Sequence, residues 1–121
     1  MSDTTTIAGE MVQGDRPQWE PVLALVGELL VGELMWMFEI ALADGVAVHA
    51  YKHSLTRRYL HIAEDGRTLV FTGSGRYRPI DPYDALVAVF DGWEQLADER
   101  YDDVDALRAA LREAYRRALS P

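Results

Sequence analysis

Alternation of apolar and polar residues between positions 34 and 72 predicts an antiparallel sheet. Two Asp-Gly pairs, Asp44-Gly45 and Asp65-Gly66, separate alternating apolar runs within this stretch. Both residue types tolerate the positive φ of a two-residue turn, so each pair is a strong local signal for a β-hairpin. The stretch therefore predicts four strands joined as a meander.

Helical spacing on both sides of this stretch predicts flanking helices. Apolar residues recur at that spacing between Pro21 and Gly32, which suit a first helical turn and a helix end respectively. Arg76 to Ile80 adds a fifth strand in one version of the fold, and Asp81-Pro82 is a strong helix start. Gly92 ends or bends that helix, and a last helix begins after Asp102 or Asp103.

The predicted fold class is α+β, with an N-terminal helix, a four- or five-stranded antiparallel meander and two C-terminal helices. Residues 1–15 have no sustained period and are rich in Thr, Gly and acidic residues, so we predict a flexible N-terminal tail. Residues 16–121 are predicted to form a single α+β domain, which suits a chain of 121 residues.

The predicted register divides the sheet into two faces. Two-residue turns place Ile62 opposite Leu69, and a three-residue loop after His53 places His49 opposite His61. One face, which includes Leu60 and Phe71, is then apolar and covered by helices. A slip of one residue would move a whole strand to the wrong face. The other face is aromatic with polar tips and carries Trp36, Phe38, Ile40, His49, Tyr51, His53, Arg57, Tyr59, His61, Val70 and Thr72.

Composition excludes several classes of chemistry and of location. The chain has no cysteine, so disulfides, thiolate nucleophiles and cysteine-based zinc sites are excluded. The N-terminus lacks a secretory pattern, and three glutamates interrupt the apolar run from Pro21 to Ala43. We therefore predict a cytoplasmic protein with no membrane partner.

The charge is uneven along the chain. The net charge of −8 argues against general affinity for nucleic acids. The segment 46–78 nevertheless contains six of the twelve Lys and Arg residues, only two of the twenty acidic residues, and all three histidines. This segment is either a solvated sheet among acidic helices or a surface that attracts an anion.

The aromatic face contains the candidate ligand-binding residues. In the predicted register Arg57 lies beside His53 and Trp36, where it would hold a phosphate or carboxylate, or simply rest on aromatic surface. Cross-strand pairing of Tyr51 and Tyr59 would either stack nucleic-acid bases or only stabilise the sheet. The predicted site is Trp36, His49, Tyr51, His53, Arg57, Tyr59 and His61.

No metal, cofactor or catalytic residue is predicted. His49 and His61 face each other closely enough to bridge a metal, but a catalytic zinc normally has three protein ligands and no third is found. Stacking of the two histidines with the tyrosines explains the same pattern. At least one histidine is expected to titrate below the unfolded reference, because partial burial and a nearby cation disfavour the charged imidazole.

We predict a small cytoplasmic interaction module without catalytic activity that forms a homodimer or binds a protein partner, because the aromatic face is too large to leave open. The alternative is a binder of a small anionic ligand or of single-stranded RNA through the His/Tyr/Arg face. An enzyme that uses His49 or His61 as a general base has the least support.

Overall fold

The computed structural model describes residues 6–14 and 16–120, which form a closed barrel of six antiparallel strands with helices packed on its outside. The prediction of helices with an antiparallel sheet is confirmed, but the predicted open meander is wrong. The strands are β1 Ile7–Val12, β2 Leu34–Leu42, β3 Ala47–His53, β4 Tyr59–Ala63, β5 Thr68–Gly73 and β6 Arg76–Ile80. The helices are α1 Glu20–Val26, α2 Glu28–Val31, α3 Pro82–Val89, α4 Trp93–Arg100 and α5 Asp105–Leu119.

Strand β1 closes the barrel. It pairs with β2 along one edge, with Gly9 opposite Leu42, and with β6 along the other, with Ile7 opposite Tyr77. It therefore covers both edges that a meander would leave open to solvent. This strand lies within the segment 1–15 that was predicted to be a flexible tail, of which residues 1–5 and 15 lie outside the described residues.

Each of the three hairpin turns is one residue longer than predicted. In the first, Leu42 pairs with Val46, and Gly45, with a φ of 91°, donates its N–H to the Leu42 carbonyl. The second has the same form, with Gly66 at a φ of 97°. These are three-residue turns that end in a left-handed glycine, not two-residue turns. The third loop contains four residues, 54–57, because the N–H of His53 bonds to the Arg58 carbonyl.

The longer turns shift the register of the strand pairs by one residue. Both faces of the sheet therefore differ from the predicted ones. His49 lies opposite Ile62, and Ile62 lies opposite Thr68. The interior of the barrel contains Ile40, Leu42, Val48, Ala63, Leu69 and Tyr77. The outer face under the helices contains Leu34, Tyr51, Leu60 and Ile62, which pack with Val22, Val26, Leu30, Leu86, Val89 and Trp93.

A β-bulge in β2 separates two aromatic residues that were predicted to share a face. Trp36 lies opposite Tyr51 while Phe38 lies opposite Ala50, so Met37 is an extra residue on this strand. An extra residue reverses the alternation beyond it. As a result Trp36 packs with the helix side of the sheet and Phe38 packs with the barrel interior.

The helices follow most of the sequence signals. Asp81 caps α3 by accepting the Tyr83 N–H at 2.8 Å, as predicted, and Gly92, with a φ of 79°, separates α3 from α4. Gly27, with a φ of 86°, divides the predicted N-terminal helix into α1 and α2. Because Gly92 separates α3 from α4, three helices (α3, α4 and α5) follow the sheet instead of the predicted two. Among the described residues, no helix combines the length and the apolar character needed to cross a membrane.

We predict that Gly9→Ala destabilises the protein by about 1–3 kcal/mol, because an added methyl group overpacks the barrel. A Cβ at Gly9 would lie 2.6 Å from Cγ2 of the buried Ile40 and 3.2 Å from the Tyr77 ring. Urea denaturation measures the loss in the free energy of unfolding. Gly14→Ala is the matched control, because nothing lies within 4 Å of a Cβ at that position. Equal stability of the two variants would contradict the docking of β1.

Candidate functional site

The structure distributes the predicted site over three places. Trp36, His49, Tyr51 and His53 lie on the outer, helix-covered side of the sheet. Tyr59 and His61 line the barrel interior. Arg57 lies exposed in the β3–β4 loop, with a left-handed φ of 65°. The predicted cross-strand pairs His49–His61 and Tyr51–Tyr59 are therefore not formed.

His49 is held by hydrogen bonds at both ring nitrogens. The Trp36 indole N–H donates to Nδ1 at 3.0 Å, so the ring proton is on Nε2, which lies 2.7 Å from Oε2 of Glu64. The imidazole is completely buried, whereas the Glu64 side chain is half exposed. With both nitrogens occupied, His49 has no free position for a metal or for a substrate proton. It ties β2 to the turn after β4.

His53 organises the loop between β3 and β4. Its Nδ1 accepts the backbone N–H groups of Leu55 and Thr56 at 3.0 and 3.2 Å, and the ring is completely buried. Its Nε2 lies 3.1 Å from Oε1 of Glu33, although the N–H is not aligned for a good hydrogen bond. The ring therefore faces protein groups on both sides and is not open to a bound anion.

Glu33 is a buried carboxylate at the junction of the helices and the barrel. Its Oε1 accepts the indole N–H of Trp93 at 2.9 Å. Burial opposes its ionisation, but polar contacts with His53, Trp93 and Tyr101 outweigh that effect and lower the pKa of Glu33. These contacts stabilise the charged carboxylate without exposing it to a substrate. We regard the cluster as structural.

Tyr51 is likewise occupied by the protein. Its hydroxyl donates to the backbone carbonyl of Gln18, and its ring packs against Trp19 at 5.6 Å between centroids. Burial raises the pKa of this hydroxyl above its usual value. The ring has no exposed surface on which a nucleic-acid base could stack.

The barrel interior contains an aromatic cavity, which we call the barrel pocket. It has a volume of about 480 Å³, within the usual range for small-molecule sites of about 300–1,000 Å³. No charged side chain lines it. The lining residues are Gly9, Met11, Phe38, Ile40, Tyr59, His61, Phe71, Gly75 and Tyr77.

The pocket opens where β4 and β5 stop pairing. Their ladder contains only the pairs His61–Leu69 and Ile62–Thr68, so the residues that follow on each side are not held together. Tyr59 and Phe71 lie beyond this ladder and are 40% and 51% exposed, and Met11 of β1 is 66% exposed. The mouth of the pocket is therefore apolar and partly open to solvent.

His61 is one of three side chains with a polar group in the pocket wall, together with Tyr59 and Tyr77. It is 8% exposed, and its Nδ1 has no hydrogen-bond partner among the described residues. The ring stacks on Tyr59 at 5.9 Å and contacts Tyr77 and Phe38 at 5.2 and 6.3 Å between centroids. Burial lowers the pKa of His61 to about 4, so the imidazole is neutral at pH 7. This direction agrees with the expectation for at least one histidine, and burial is its cause.

A second cavity, of about 420 Å³, lies between α4 and α5, and its lining includes charged side chains. Two arginines, Arg108 and Arg112, line it. Arg108 already pairs with the carboxylates of Glu94, Asp98 and Asp105 at 2.5, 3.2 and 3.1 Å. A guanidinium with three carboxylate partners has little remaining capacity for a ligand. The barrel pocket has an uncharged, mostly aromatic wall and an exposed apolar rim, and we regard it as the better candidate for a small-molecule site.

The barrel pocket contains aromatic rings and a few neutral hydrogen-bonding groups. Within the described residues no cluster of three His, Cys, Asp or Glu side chains is placed to hold a metal ion. The pocket wall contains one neutral imidazole and two phenols, with no carboxylate or serine beside the imidazole to activate a nucleophile. What remains are neutral hydrogen-bonding groups among aromatic rings.

Sequence reasoning found two residues of this pocket, Tyr59 and His61, but did not place Phe38, Phe71 and Tyr77 in the candidate site. Phe71 was assigned to the face beneath the helices, whereas it lies at the barrel mouth. The available signal was Gly9 in an apolar segment, since glycine within a strand often marks close approach of another element.

We predict that the stability of the wild type decreases, relative to His61→Phe, as pH falls from about 6.5 to 4. The unfolded histidine takes up a proton near pH 6.5, whereas the folded one does so only near pH 4. Stability from this group is therefore complete above pH 6.5 and is lost below it, by about 3 kcal/mol in total. Urea denaturation at a series of pH values measures the difference. Parallel pH profiles of the two proteins would contradict the burial of an uncharged His61.

Comparisons with protein-family models, with curated proteins and with solved structures found no match to this chain.

Proposed function

We propose that this protein binds a small, mainly apolar molecule in the barrel pocket. The observation that carries the proposal is an uncharged, mostly aromatic cavity of about 480 Å³ inside the barrel, with exposed apolar side chains at its opening. Such a cavity, lined by apolar and aromatic side chains with a few polar groups, is typical of small-molecule sites.

The shape of the barrel supports the same proposal. Part of the interior is filled by packed side chains such as Val48, Leu69 and Leu42. The wall of the cavity includes Gly9 and Gly75, which have no side chain, and the completely buried Ala50 lies opposite Phe38. The cavity is therefore a property of the residues that form it. Small closed barrels hold single ligands in this way.

The exposed rim adds a favourable contribution to ligand binding. Met11, Tyr59 and Phe71 are large apolar side chains that are exposed together around one opening. Covering apolar area contributes about 25 cal/mol per Å², so a ligand that covers these side chains gains affinity.

The predicted homodimeric interaction module remains a second proposal. The observation in its favour is the same exposed rim, which a second copy of the chain would also cover. The aromatic face on which it was based is divided between the barrel interior and the helix layer. The predicted cytoplasmic location and the absence of catalysis also remain predictions.

We predict that wild-type protein binds the uncharged fluorescent probe N-phenyl-1-naphthylamine at a single saturable site. Phe71→Glu should weaken binding at least tenfold, because it places a carboxylate at the apolar mouth. Val87→Glu is the matched control, because Val87 lies on α3 outside the pocket, is 43% exposed and receives the same charge. Fluorescence titration measures both affinities.

Two outcomes separate the proposals. Equal affinity of the two variants, or no saturable binding by wild type, would contradict the barrel pocket as a ligand site. Sedimentation of the same three proteins at several concentrations tests the dimer. A dimer that Phe71→Glu dissociates and Val87→Glu preserves would assign the rim to self-association.

A further inference from the structure

Lys52 lies beside the mouth of the barrel pocket. It pairs with Tyr59 across β3 and β4, and residues directly opposite each other point to the same side of a sheet. Its ammonium nitrogen lies 5.6 Å from the centre of the Tyr59 ring, which is part of the pocket wall. It is the only lysine of the chain.

The Lys52 ammonium has no carboxylate partner among the described residues. Among the described residues, every ion pair uses a histidine or an arginine as its cation, for example Arg58, Arg67 and Arg108. Its one aromatic contact, with Tyr59, is a cation–π interaction that leaves its hydrogen-bond donors free. A protein of net charge −8 thus has an unpaired cation at the opening of an uncharged cavity.

We infer that the ligand of the barrel pocket is an amphipathic monoanion, whose apolar body lies among the aromatic rings and whose carboxylate binds the Lys52 ammonium. This inference rests on the proposed function and specifies its ligand class. A single ammonium acts as a point charge and matches a single carboxylate.

The charges around the pocket disfavour the other head groups. Aromatic cages also bind organic cations, but Lys52 repels a cation at the mouth, and no carboxylate in the pocket wall would compensate. Bidentate recognition of a phosphate uses arginine. The pocket wall itself contains no arginine.

The test compares three competitors that share one tail. Octanoate, 1-octanol and octylammonium are titrated against bound N-phenyl-1-naphthylamine at pH 7, and the concentration for half displacement is measured. In wild type, octanoate should act at a concentration at least fivefold below that of 1-octanol, and octylammonium should be the weakest. Lys52→Met should make octanoate and octanol equal, and Lys52→Glu should place octylammonium ahead of octanoate.

Arg58→Met is the control, because it removes the same charge from the neighbouring strand end, and it should keep the wild-type order. An order that is unchanged in both Lys52 variants would overturn the role of Lys52. Wild-type preference for octanol or octylammonium would overturn the anionic ligand class while leaving the barrel pocket as a binding site. Failure of the probe itself to bind would instead overturn the proposed function and this inference with it.

Discussion

Pairing of β1 with both β2 and β6 is the constraint on which the other features of this protein depend. Without it, β2 and β6 would each present an unpaired edge, and the inner face of the sheet would be open to solvent. Closure turns that face into an interior, with Gly9 close to Ile40 and Tyr77. The pocket, the burial of His61 and the exposed rim all follow from this enclosure.

The three histidines show how the same side chain takes different roles according to its partners. His49 and His53 each have protein groups at both ring nitrogens, which fixes their tautomers and makes them structural. His61 has aromatic neighbours and an unpartnered nitrogen. Position relative to the barrel pocket therefore separates His61, which lines the cavity, from His49 and His53, which lie on the helix-covered side.

The positions of the turns in the sheet could be predicted from the sequence, but the register of the strands could not. Asp44-Gly45 and Asp65-Gly66 do form turns, yet the same dipeptide suits a two-residue turn and the last two residues of a three-residue turn. That difference of one residue exchanges the faces of a strand. The bulge at Met37 could not be predicted, because Leu34 to Phe38 are all apolar and show no alternation that an extra residue would interrupt. Strand β1 was missed because its burial does not alternate regularly and Gly9 weakens the strand pattern.

The candidate site was only partly predictable, because its residues come together through strand register and barrel closure. Tyr59 and His61 were predicted as site residues because of their side-chain chemistry, which does not depend on the register. Both lie in the pocket. Phe38, Phe71 and Tyr77 come from three other strands, and only barrel closure brings them together. The predicted register places Tyr51 on the aromatic face and therefore the adjacent Lys52 on the helix-covered face, where a cation needs a buried partner. On the inner side it needs none, since the mouth is open, and there its charge becomes available to a ligand.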